Sequence, residues 1–174
     1  MRRVRYGVGV SLDGYIAGPE GELDYLVSDS AYDQRAFFSS IDTVLMGQRT
    51  YDVALKHGAH GFPGMRTYVF SRTLVPEEHP DVTVVAGDAG GVVDALRRED
   101  SARDIWLAGG GNLLASLLAA NVVDTIEVGI SPVLLGRPGV PLLTPVLPVP
   151  VRLELTSSRS YPSGLLIVEY AVRR

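Results

Sequence analysis

Apolar and polar residues alternate from 3 to 12, with Val8 and Val10 on one face. A period of two predicts a strand. The pattern then breaks into Asp13-Gly14, returns briefly at Tyr15 and Ile16, and runs into Gly18, Pro19 and Gly21. Asp-Gly is ordinarily a hairpin turn, but no returning strand follows Gly21. Ser30 reads as the cap of a helix over 31–40, with Asp33 as its acidic partner. A short apolar strand at 42–47 runs into a helix over 48–58, whose last turn carries Lys56 and His57 and which stops at Gly58. Residues 58–65 read as a loop and 67–71 as a strand; Pro76 and Pro80 mark a connection to a strand at 82–87. Asp88 precedes a helix through residue 100. Strand 104–109 turns through Gly109-Gly110-Gly111 into a helix to about Ala120. A long strand at 124–133 and a proline-rich passage at 138–150 lead to a hairpin, 151–161 and 165–173, around Tyr161-Pro162-Ser163-Gly164.

Strands separated by helices imply crossovers and a mostly parallel sheet with helices on both faces. The terminal hairpin adds an antiparallel strand at an edge. The expectation is an α/β fold with about eight strands in one mixed sheet. The length of 174 residues suits a single domain over 1–174.

Composition narrows the partners. A net charge of −4 leaves no basic footprint for nucleic acid or anionic lipid. The chain has no cysteine, hence no disulfide, thiol nucleophile or thiolate metal site. Residues 105–123 carry no charge over about the length of a bilayer span. Three glycines, two asparagines and a serine break that stretch into a strand, a turn and a helix. No secretory h-region follows Met1, so a cytoplasmic protein is expected. His57, His60 and His79 have no metal-binding spacing, and no metal site is expected.

In open α/β sheets, ligands sit beyond the carboxyl ends of parallel strands. Three such ends carry suggestive residues. Gly47 passes directly into a helix start with Gln48, Arg49 and Thr50, whose free N–H groups, guanidinium and hydroxyl suit a phosphate. Ser71-Arg72-Thr73 follows another strand. Gly109-Gly110-Gly111-Asn112 opens a third helix, and no ordinary turn needs three glycines. It is not the G-x-G-x-x-G fingerprint, because Leu113 and Leu114 fill the later positions. Taken singly, each is an ordinary turn or solvated loop; together they suit a pyrophosphate and a further phosphate.

Five segments in order now resemble a known family. They are SLDGYIAG at 11–18, DTVLMGQRTYD at 42–52, YVFSRT at 68–73, LAGGGNLLASLL at 107–118 and VDTIEVGISPVLLGRPGVPLL at 123–143. The chain resembles dihydrofolate reductase. It is more similar to the reductase domain of the riboflavin-biosynthesis deaminase-reductase, the RibD C-terminal-domain family. That resemblance implies a dihydrofolate reductase-like fold and an NADPH-dependent reductase acting on a small pterin, pyrimidine or carbonyl substrate. It places Gly9 and Ile16 on the nicotinamide. It puts Gly47, Gln48, Arg49 and Thr50 at the pyrophosphate, Ser71 and Arg72 at the ribose 2′-phosphate, and Gly110, Gly111, Asn112 and Leu113 at the second pyrophosphate support. A homodimer is implied by analogy.

The chain departs from its relatives at substrate positions. Tyr15 stands where the riboflavin enzymes have lysine, Asp52-Val53-Ala54 where they have an Asp-Pro segment, and Ala108 where they have glutamate. The zinc deaminase signature is absent. Tyr15, Asp24 and Asp29 are the candidate proton donors; the two aspartates stand near the place of the dihydrofolate reductase carboxylate. Alternatives are dihydrofolate reductase activity itself and an NADPH-binding module without turnover.

Overall fold

The computed structural model describes residues 1–144, 147 and 149–173. Among the described residues ten strands form: β1 (Val4–Ser11), β2 (Tyr15–Ala17), β3 (Ile41–Gly47), β4 (Arg66–Phe70), β5 (Thr83–Val85), β6 (Asp104–Leu107), β7 (Thr125–Ser131), β8 (Val140–Pro141), β9 (Leu153–Ser160) and β10 (Leu166–Val172). Four α-helices among the same residues join them: α1 (Gln34–Ser39), α2 (Gln48–Lys56), α3 (Ala89–Arg97) and α4 (Gly111–Ala119). The main sheet has eight strands in the order β5-β4-β3-β6-β1-β7-β10-β9. The first six are mutually parallel. β10 runs antiparallel to both β7 and β9. The reversed strand is therefore one in from the edge, and β9 is the edge. The hairpin inserts its second arm because β10 carries the apolar residues Ile167 and Val168, whereas β9 is exposed almost throughout. No helix among the described residues is long and apolar enough to cross a membrane.

The period of two sorts the core. Val4, Tyr6, Val8 and Val10 of β1 pack with Leu45, Ile105, Leu107, Ile126 and Val128 on one face, covered by α3 and α4 through Val93, Leu96, Leu113 and Leu117. Val44, Met46, Val69 and Trp106 face the other way against Tyr51 and Leu55 of α2. Phe37 and Phe38 of α1 meet Trp106 edge to face at 5.6 and 5.5 Å.

The sequence expectations shift at several ends. α1 starts at Gln34, because the Asp33 carboxylate, not Ser30, caps it by accepting from the Ala36 amide. Residues 15–17 and 140–141 form a separate two-stranded sheet that was expected as loop. The proline-rich passage lies partly outside the described residues. Arg97, in the last turn of α3, is buried and holds Asp124 through two bonds of 2.8 and 3.0 Å. Buried Arg2 pairs with Asp42 and Glu99 at the same amino end of the sheet. The ionic clamps thus collect at the end opposite the cleft.

Candidate active site

Beyond the carboxyl ends of the parallel strands lies a cleft of about 1180 Å³. Every cofactor candidate from the sequence lines it: Gly9, Ile16, Gly47, Gln48, Arg49, Thr50, Ser71, Arg72, Gly110, Gly111, Asn112 and Leu113.

Two nine-residue helices open there with no side-chain cap. Their first amides are left for a ligand, and an uncapped N-terminus favours an anion. The two starts are neighbours. A Cβ on Gly109 would lie 3.4 Å from the Thr50 hydroxyl, and one on Gly110 3.9 Å from the Gly47 nitrogen. Gly110 itself sits at φ 93, where a side chain is strained. Gly111 is required by packing, since a Cβ there would come within 2.8 Å of the Thr144 amide. The exposed side chains of Arg49 and Arg72 make no ion pair among the described residues. Gln48 and Ser71 are partly committed to each other: the Ser71 hydroxyl donates to Gln48 Oε1 at 2.7 Å and accepts from the Thr73 and Leu74 amides. The donors and cations present fit a dinucleotide's phosphates.

The other end of the cleft is built from β1 and β7. Gly7 pairs with Glu127 and Gly9 with Gly129. Paired residues of parallel strands share a face, so three glycines lie beside one carboxylate, with Trp106 and Phe37 packed close over Gly7. Trp106 walls this floor and donates to the Gly7 carbonyl at 3.0 Å. Leu26 rests on Gly9, within 3.0 Å of where a Cβ would be. Glu127 accepts from the Tyr32 hydroxyl at 3.1 Å and lies 3.8 Å from Arg5. Burial pushes its carboxyl above the ordinary range; Tyr32 and Arg5 oppose this, and Glu169 across the strand reinforces it. The sequence reading missed Glu127. Its signal was a single acid in the odd register of a strand whose even positions, Ile126, Val128 and Ile130, are apolar.

None of the three proton-donor candidates lines the cleft. Asp24 is exposed. Asp29 accepts from the Ala31 and Ser163 amides, and the Ser163 hydroxyl, followed by these amides, lowers its pKa. Tyr15 lies in β2, with its amide on the Ser11 hydroxyl and its carbonyl bound by Tyr25. Asp13 ties the end of β1 to the 135–136 loop. It accepts from Ser11 and from the Leu135 and Gly136 amides, and its pKa falls to about 2.

Comparison with known proteins gives the family and the fold. Residues 2–167 match the RibD C-terminal domain, and the chain belongs to that family. It is similar to the uncharacterized protein YyaP of Bacillus subtilis, 27% identical across 98% of this chain and 95% of the relative. A Shewanella sp. PV-4 protein named for riboflavin biosynthesis superposes with a TM-score of 0.82 and 26% identity over the whole of both chains. The dihydrofolate reductase of Enterococcus faecalis, solved with NADP(H), superposes with a TM-score of 0.70 at 16% identity, covering 99% of this chain and 97% of that one. The fold is dihydrofolate reductase-like.

Proposed function

We propose that this member of the RibD C-terminal domain family is an NADPH-dependent reductase of a small, flat C=N or C=O compound. The observation that carries the reading is the pair of uncapped helix starts, at Gly47 and Gly110, standing side by side with Arg49 and Arg72 at the rim. When bound, NADPH supplies the hydride. Gly47, Thr50 and Gly110 to Asn112 hold its pyrophosphate through backbone amides and the hydroxyl. Arg49 and Arg72 take the 2′-phosphate and set the preference over NADH. Gly7, Gly9 and Gly129 form a floor that a planar ring covers when Leu26, which rests on Gly9, gives way to it. The loop from Leu12 to Asp33, which carries Leu26, then shields the ring from water.

The enzyme is further proposed to be a cytoplasmic homodimer. The absence of cysteine fits a reducing compartment. The free edge β9 exposes Leu153 and Leu155, which a second copy would cover.

Titration of the protein into NADPH, read by nicotinamide fluorescence and by thermal shift, tests the reading. Saturable binding, tighter than for NADH, and oxidation in the presence of a pterin, pyrimidine or carbonyl acceptor are expected. No shift and no fluorescence change would overturn it. Binding without oxidation across the panel would favour the binding-module alternative.

A further inference from the structure

We propose that Glu127, reaching the cleft from β7, grips the substrate ring and donates the proton that completes its reduction, and that the ring is an unphosphorylated nitrogen heterocycle. The protonation step rests on the reductase reading; the recognition of the ring does not.

Three observations point there. First, Glu127 is the cleft acid beside the glycine floor, because Gly7 is its in-register partner and Gly129 lies two residues on. Its side chain is 18% exposed, so it meets a ligand with little competing water. The other acids of the cleft, Glu20, Asp52 and Asp88, lie on the covering loop, on α2 and before α3. Second, the walls around it are aromatic and apolar: Tyr32, Phe37, Phe38, Trp106, Leu165 and Ile167. Third, the cations that line the cleft, Arg49, Lys56 and Arg72, all belong to α2 or to the segment after β4, at the phosphate end. Arg5, beside Glu127, is engaged by Glu127 and Asp104, so among the described residues lining the Glu127 end a substrate's own phosphate would find no free counter-charge.

Every charged or titratable neighbour of Glu127 has a definite effect. Arg5 of β1, itself held 3.7 Å from Asp104, and the Tyr32 hydroxyl both favour the carboxylate. Glu169 of β10, directly opposite in the ladder, favours the acid. Burial, the largest influence, also favours the acid. A carboxyl whose pKa is raised by burial is better poised to serve as a general acid.

A protonated carboxyl donates its O–H to a ring nitrogen while its carbonyl accepts from an adjacent amino group. In the reaction the substrate carbon receives hydride from NADPH, which leaves as NADP⁺. The π pair of the broken C=N bond moves to nitrogen and takes the Glu127 proton. Glu127 remains as carboxylate and is reprotonated from water.

The test needs no cofactor. 2-Aminopyrimidine, which presents that acceptor–donor edge, is titrated by NMR between about pH 5 and 8. Its affinity is expected to fall as pH rises through the raised Glu127 value. Since none of the three histidines lines the cleft, they do not supply this dependence. In Glu127→Gln, whose amide mimics the protonated acid, binding survives and the pH dependence disappears. In Glu127→Leu, binding drops at least tenfold. Tyr32→Phe, which leaves the strand untouched, moves the midpoint upward because a bond to the carboxylate is lost. A pH-independent wild type, wild-type binding in Glu127→Leu, or no saturable binding would overturn the inference. Binding of the ring with failure of NADPH to bind would sink the reductase reading alone.

Discussion

The two ends of the cleft are built by different means. The phosphate end is made mainly of backbone, helix amides at Gly47 and Gly110 brought together by glycines that let Thr50 and residues 142–144 approach, with Arg49 and Arg72 at its rim. The ring end is a glycine floor from β1 and β7 walled by side chains from β6, β7, β10 and the segment around α1. Backbone recognition reads only charge and shape, so it suits a cofactor common to many reductases. Side-chain recognition reads chemistry, and it is here that Ala108 and Glu127 lie.

If that division is right, substitutions at one end should leave the other end's ligand alone. The largest effect is expected from Arg49→Ala/Arg72→Ala. Charge-assisted bonds contribute about 1.5–3 kcal/mol each, so NADPH affinity should fall on the order of a hundredfold or more by fluorescence titration. Discrimination against NADH should shrink with it.

Gly111→Ala comes next. Its Cβ would meet the Thr144 amide at 2.8 Å and the Leu142 carbonyl at 3.0 Å, both backbone atoms that cannot simply swing aside. Overpacking of this kind costs about 1–3 kcal/mol. A calorimetric midpoint lowered by roughly 3–10 °C and weaker NADPH binding are expected.

Asp13→Asn is smaller and local. Hydrogen exchange at Leu135 and Gly136 should accelerate by on the order of tenfold, because those amides lose their charged acceptor. In the wild type the same clamp is present above the unfolded carboxyl value and is lost as pH falls towards about 2.

The smallest effect concerns stability at Glu127. Its folded pKa lies above the unfolded one. Its contribution is therefore fully present below the unfolded value and is lost as pH rises through the folded value. Relative to Glu127→Gln, the wild-type melting temperature should decline across that window and level off above it.

The same division explains what the sequence made legible. Gly47-Gln48-Arg49-Thr50 and Gly109-Gly110-Gly111 are short contiguous runs at strand–helix junctions, so their placement follows from local pattern. The alternation of β1 and the apolar run of β3 likewise exposed the sheet. Glu127 was not legible because its meaning depends on β7 lying beside β1, a pairing between residues 120 apart in the chain. β2 and β8 are three and two residues long, below what periodicity detects. Asp24 and Asp29 were drawn in by nearness to α1 along the chain, but Asp33 starts that helix and Asp29 is turned to Ser163.

The most direct test places both ligands on both variants. NADPH and 2-aminopyrimidine are titrated into the wild type, Arg49→Ala/Arg72→Ala and Glu127→Leu under one condition. The account expects the arginine variant to lose NADPH and keep the ring, and Glu127→Leu to lose the ring and keep NADPH. Equal losses of both ligands in either variant, or no loss in both, would contradict a cleft divided between a backbone-built phosphate end and a Glu127-centred ring end.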